Sequence, residues 1–235
     1  MCGRYLLARP VAETARYFES QNPTPNHPPS WNIAPTQDGL VLRRHPQTGE
    51  RHLDVLRWGL VPHWARAATG AARLMNARAD GIAQKPSFRD AFARRRCLVP
   101  MDGFYEWRTE GRAKQPFAVA LRSGEPMAVA GLWEGWQQPD GNWLRTYTVI
   151  TTDANTRQAL VHDRMPVILP QEDWSAWLGE TICDDPAGLL RPCPPDILAF
   201  WPVGTRVGRF AENDAGLLAR VDVVVPSELD DPPVY

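Results

Sequence analysis

Residues Arg96–Trp133 read RCLVPMDGFYEWRTEGRAKQPFAVALRSGEPMAVAGLW. Four short runs rich in aliphatic and aromatic residues stand in this stretch: Arg96–Pro100, Phe104–Trp107, Phe117–Leu121 and Ala128–Trp133. The turn signals Glu110-Gly111 and Ser123-Gly124 divide them. Runs of this length and composition, broken by glycine-containing turns, predict strands joined as hairpins. Working outward, the same character recurs at Gly3–Leu7, Gly39–Arg43, His52–Trp58, Tyr147–Thr151 and Pro166–Leu169, with further turns at Pro46–Gly49 and Pro139-Asp140-Gly141. Helical patterns are fewer: Val11–Glu19 behind Pro10, Phe88–Arg95 behind the candidate cap Ser87, and Glu172–Leu178 with Trp174 and Trp177 at i, i+3 spacing. The expectation is an α+β fold, a single domain over 1–235 built around a curved, mainly antiparallel sheet or barrel with a few flanking helices. The Pro-rich Asn22–Trp31 stretch reads as a surface loop, and Leu229–Tyr235 as a frayed tail.

The 235-residue chain is 43% hydrophobic, ample for a folded core, and no segment approaches the ~20 apolar residues of a membrane span. With no secretory signal pattern, the expected location is the cytoplasm, with reduced thiols. Twenty-six basic residues stand against 27 acidic ones, so a polyanion must be met by a local arginine patch, because no global field steers it. Only Lys85 and Lys114 are lysines. The four cysteines, Cys2, Cys97, Cys183 and Cys193, lack the paired spacing of a structural zinc site, so neither metal nor cofactor is expected.

Chemistry begins at residue two. A cysteine next to the initiator methionine is small enough for Met1 to be removed, which leaves one residue carrying a thiol and a free α-amine. Their reference pKa values, about 8.5 and roughly 7.7 to 8.0, leave both groups usefully reactive near neutral pH. An aldehyde would condense with the amine, and the thiol would close a five-membered thiazolidine; an amide would instead suffer thiolate attack. The bland alternative is a cysteine acting as a small buried hydrophobe. Three segments add weight to the reactive reading. Asn76-Ala77-Arg78 puts an amide and a guanidinium on one face of a strand. Phe104-Tyr105-Glu106-Trp107 sets a carboxylate among aromatics, a desolvated setting suited to proton transfer. His162-Asp163-Arg164 places an imidazole beside an arginine, after Thr151–Asn155, which reads as a turn and helix cap.

Together with Met1–Tyr5, Trp31–Thr36, Trp58–Trp64 and Met165-Pro166, these motifs resemble the SRAP family (SOS response-associated peptidase) from Cys2 to about Leu178; residues 179–235 read as a variable extension packing on the core. The resemblance implies capture of abasic sites in single-stranded DNA, at single-strand/duplex junctions among other places, by a monomer that crosslinks covalently through Cys2. It implies that Asn76 holds the amine or sugar, Glu106 shuttles protons and His162 serves the Schiff base. It further implies DNA contacts from Arg4, Asn32, Arg78, Lys85, Thr151 and Arg164, with Pro35 and Trp64 as an apolar wedge on which any base can stack. His63 before Trp64 suggests a more polar wedge, and Phe88 and Arg89 resemble a DNA-facing segment. Two other readings stay open: a cysteine peptidase, beginning with its own Met1, and a noncatalytic single-strand binder.

Overall fold

The computed structural model describes residues 2–235, apart from the side chain of Glu110; the expected loss of Met1 lies outside the described residues. Twelve strands form two sheets. They are β1 (Arg4–Leu7), β2 (Ser30–Ile33), β3 (Asp38–Arg44), β4 (Arg51–Trp58), β5 (Asn76–Arg78), β6 (Arg96–Met101), β7 (Gly103–Glu110), β8 (Ala113–Leu121), β9 (Met127–Gln137), β10 (Trp143–Asp153), β11 (Arg164–Pro166) and β12 (Leu198–Pro202). In the second sheet β10, β4, β3, β6 and β9 pair in sequence and β9 returns to β10, so these five strands close into a barrel. The first sheet is open and runs β12-β8-β7-β1-β2. The curved, mainly antiparallel architecture is therefore as expected, except that β4 and β5 run parallel to β10 along the same edge.

The hairpins form where glycine turns allow them. Gly49, Gly111, Gly124 and Gly141 all take positive φ, the left-handed region that costs glycine little. Helices are few, as expected, and shorter than their sequence patterns: α1 (Val11–Tyr17), α2 (Arg89–Arg94) and α3 (Trp174–Leu178). Ser87 does not cap α2; Phe88 occupies the cap position and no side chain caps that end. The Thr151–Asn155 segment is likewise not simply a turn, since β10 runs through Asp153. Only Asn155 acts as a cap, its Oδ1 accepting the Gln158 amide at 2.9 Å.

Two apolar clusters fill the molecule. One lies inside the barrel and between it and the open sheet, and includes Tyr5, Phe18, Trp58, Phe104, Tyr147 and Trp177. The other, on the far face of the open sheet, joins Leu6, Tyr105, Trp201, Val207 and Leu217. The alternation of β1 explains this division, because Tyr5 and Leu6 point to opposite faces. Fully burying one such aromatic contributes roughly 1.5 to 3 kcal/mol, so the second cluster holds the C-terminal segment firmly against the sheet.

The C-terminal residues depart from the expected frayed tail. Leu229 is fully buried, and Asp231 accepts from Arg122 at 2.7 Å, Arg157 at 2.5 Å and the Phe200 amide at 2.9 Å. Tyr235 Oη donates to the Asp102 carbonyl. The reason is that β12 pairs along all five of its residues with β8, and the following chain must cross the open sheet to cover its outer face. All four cysteines are unbridged, and among the described residues no helix is long and apolar enough to cross a membrane.

Candidate active site and nucleic-acid interface

Cys2 enters at the seam between the two sheets. Strand β1 is fourth in the open sheet, between β7 and β2, with Arg4 opposite Tyr105, and Tyr5 opposite Phe104 on one side and Ile33 on the other. That pairing on both edges fixes where the N-terminus emerges. Cys2 is fully buried, and its carbonyl accepts a 2.8 Å hydrogen bond from Asn76 Nδ2. Asn76 itself sits on β5, in register with Val149 of the barrel strand β10. One bond thus ties the barrel to the nucleophile's backbone. The other end of the same amide, Oδ1, is buried without a protein partner, an acceptor at which an amine N–H can end.

Glu106 lies on β7 opposite Phe117, almost wholly buried, with Oε1 3.3 Å from the Trp107 amide. Burial pushes the Cys2 thiol well above its ordinary value, and the Glu106 charge pushes it further, while the Arg4 amide works the other way. The thiol is therefore protonated at neutral pH. Next to it stands an aromatic floor: Tyr5 and Tyr147 share a 2.6 Å hydroxyl–hydroxyl hydrogen bond, and Trp58 meets Tyr5 edge-on at 5.2 Å. Burial raises both phenols, so neither ionises near neutral pH.

His162 follows a 3₁₀ turn at Gln158–Leu160, and its amide donates to the Gln158 carbonyl. Its Nδ1 accepts the Arg164 backbone N–H at 3.0 Å, which assigns the ring proton to Nε2. The exposed Asp163 carboxylate also lies 2.8 Å from Nδ1.

The expected DNA-contacting residues fall into two groups. Exposed or half-exposed are Arg4, Pro35, Trp64, Arg78 and Lys85. Arg78 leaves the sheet at β5 opposite Thr151 and has no ion pair among the described residues. Arg4 is half-buried, with Nη1 donating to Gly3 O at 3.0 Å and Nη2 to Gly208 O at 3.4 Å, and desolvation lowers its pKa. Pro35 precedes Thr36, whose φ of 75° is unusual for a branched residue and is held by its amide bond to Trp58 O at 2.8 Å. Lys85 lies in the turn leading to α2; Phe88 beside it is in the core, and Arg89 is exposed.

Asn32, Thr151 and Arg164 are instead buried. Arg164 donates through Nη2 to Thr151 O at 2.8 Å and through Nη1 to Asp153 at 3.0 Å, with Asp80 3.6 Å away, so two carboxylates already offset its charge. Asn32 Nδ2 reaches the carbonyls of Val207, Arg209 and Glu212 at 3.3, 3.0 and 2.8 Å. Sequence reasoning missed these partners, which lie about 175 to 180 residues away and leave no local signal.

Trp64 is 56% exposed, and the loop carrying it is bracketed from the barrel. Glu134 Oε2 accepts the His63 backbone amide at 2.9 Å and lies 2.8 Å from His63 Nδ1, while Trp136 Nε1 donates to Ala65 O at 2.7 Å. His63 thus latches the loop to β9 behind the indole. Gly59, at φ 116°, permits the approach of this segment to Ala71; a Cβ there would stand 2.8 Å from the Ala71 carbonyl oxygen. Among the described residues no three His, Cys, Asp or Glu side chains converge on a point that could hold a metal. A 450 Å³ cavity under Trp174, Ile168 and Cys193 includes none of the groups around Cys2, and one of 460 Å³ takes in His63 and Glu134 at the base of the Trp64 loop.

A family model described as SOS response associated peptidase (SRAP) matches residues 1–210. The abasic site processing protein YoqW of Bacillus subtilis is 37% identical over 223 residues, covering 93% of this chain and 99% of its own length. The abasic site processing protein HMCES of Gallus gallus is 31% identical, covering 97% of this chain and 80% of its own. A crystal structure of a Bacteroides thetaiotaomicron protein superposes with a TM-score of 0.84 at 25% identity, covering 94% of this chain and all of that one.

Proposed function

The chain belongs to the SRAP family, and from that membership we propose that it processes abasic sites, capturing them in single-stranded DNA as a covalent thiazolidine on Cys2 once Met1 is removed. The observation that carries this reading is the geometry at Cys2, a fully buried thiol beside Glu106 on a backbone held by Asn76. Such a thiol makes the α-amine the first nucleophile. The amine adds to the C1 aldehyde of the ring-opened deoxyribose, and the carbinolamine loses water to give an imine. The thiol sulfur then attacks the imine carbon. Its proton passes by way of Glu106 to the imine nitrogen, so that aldehyde plus aminothiol become thiazolidine plus one water. In this reading Asn76 Oδ1 would accept from the reacting amine, and the Nε2–H of His162 would donate toward the adduct. Arg4, Arg78 and Lys85 would meet phosphates, and Trp64 with Pro35 would stack on a flanking base, including one at a duplex end.

The same observation weighs against a peptidase. An attacking cysteine needs its thiolate and a basic imidazole nitrogen, whereas this thiol is pushed up and His162 Nδ1 already accepts a backbone N–H. The test is a denaturing gel of mature protein mixed with single-stranded DNA bearing one abasic site. A shifted band that disappears in Cys2→Ala, and in protein whose α-amine is blocked, is expected. Equal crosslinking by a form that retains Met1 would overturn the thiazolidine route.

A further inference from the structure

The loop Thr205–Asp214 follows β12 and crosses the outer face of the open sheet until it meets the N-terminal strand. At its tip Arg209 is 77% exposed on its side chain and Phe210 is 67% exposed. An exposed phenyl ring has no packing role, and Arg209 comes no closer than 4.0 Å to a carboxylate, that of Glu212. The loop is nonetheless built firmly. Asn32 donates to three of its carbonyls, including that of Arg209, and Val207 is buried beneath it. Arg206 pairs with both Glu212 and Asp214, which offsets the two acidic groups nearest the tip. Beside it, Gly208 O accepts from Arg4, two residues from Cys2.

We propose that Arg209 and Phe210 form a second contact for the DNA strand, a phosphate-binding cation beside an aromatic on which a flanking base stacks, continuing the path that starts at Arg4. The inference rests on the reading of the site as a binder of single-stranded DNA. It gives Asn32 a part as well, as a positioning residue that reaches DNA through this loop rather than by direct contact. An exposed arginine next to an exposed ring on a firmly held loop suits a nucleic-acid strand, which offers an anion and a π-face at each nucleotide, whatever the base.

The contact is tested with fluorescein-labelled, lesion-free single strands of about 4 to 20 nucleotides, with binding read by anisotropy across a salt series. Phe210→Ala should weaken binding of the longest strands about fivefold or more, with the salt slope unchanged. Arg209→Ala should lower the slope of log Kd against log salt by about 0.7, the value for one phosphate on a single strand. Both losses should vanish on strands too short to span from Cys2 to the loop. Losses independent of strand length, or variants that bind every strand as the parent does, would overturn the proposal. Crosslinking of abasic single strands by the parent protein, run alongside, separates the two readings. If the parent crosslinks and the variants show no length-dependent loss, the loop contact alone fails; if the parent neither binds nor crosslinks, the underlying reading fails too. Both residues are at the surface, so melting temperatures should match the parent.

Discussion

Replacing Glu106 by glutamine keeps the side chain's size and removes its charge, and the site's geometry then predicts two effects of opposite sign. The Cys2 thiol is raised first by burial and second by Glu106, so loss of the charge lets its pKa fall toward the burial-only value. Each unit of that fall is worth about 1.36 kcal/mol and gives about tenfold more thiolate at a fixed pH. Alkylation of Cys2 should therefore speed up. Capture of an abasic site should slow, because the thiol proton loses its route to the imine nitrogen. A positioned acid–base group contributes about 10²- to 10⁴-fold, or roughly 3 to 5 kcal/mol of barrier. Alkylation of Cys2, itself buried, is followed by peptide mass mapping with iodoacetamide in a Cys183→Ala background, which removes the one thiol of the four that is not buried. Capture is followed by single-turnover crosslinking on a denaturing gel. If Glu106→Gln slows both reactions together, the residue merely shapes the site; if crosslinking keeps the parent rate, the proton route is wrong.

Other outcomes follow from the same structure. Burial pushes the Cys193 thiol up to about 12, so the folded protein holds that proton where the unfolded chain, with a reference near 8.5, has released it. Stability should be unaffected below about pH 8.5 and fall at higher pH, with this thiol contributing up to about 1.36 kcal/mol per unit; Cys193→Ala should flatten the decline in urea titrations by that amount, and an unchanged slope would count against it. Gly39→Ala would bring a Cβ to 2.1 Å from Tyr5 Oη and 2.4 Å from Tyr147 Oη, so a loss of about 1 to 3 kcal/mol or more is expected in denaturant unfolding, with the Tyr pair separated. Arg78→Glu should weaken noncovalent binding to unrelated single strands alike in anisotropy titrations; an effect confined to one sequence would contradict a phosphate contact.

The strands with strong local composition were legible: the runs at Arg96, Phe104, Phe117 and Ala128 form β6 to β9, joined at the glycine turns that announce them. Strand β11 begins two residues before the Pro166–Leu169 run and shares only Pro166 with it, and three strands carry no such signal. Strand β5 is three residues long, β2 follows a proline-rich loop, and β12 is buried on both faces and so lacks alternation. Pro202 also argues against a strand, yet β12 is at the sheet edge, where a missing N–H is tolerated. The position of Cys2 made its chemistry readable from sequence, but its surroundings were not. The burial of Arg164 against Thr151 and Asp153, and the grip of Asn32 on residues 207–212, depend on pairings between distant segments that no local pattern encodes.

The order of strands in the open sheet also sets a timetable for a chain made from its N-terminus. Strand β1 cannot dock between its neighbours until β7, about a hundred residues later, has been synthesised, and β8 keeps a bare edge until residues 198–202 emerge. At roughly 5 to 20 residues per second, that leaves several seconds in which the first residues are accessible to processing enzymes and the apolar edge Phe117–Leu121 is open to wrong partners. A chain released before residues 198–202 are made would keep its β8 edge and outer sheet face uncovered, so a late segment of the chain governs the setting of Cys2.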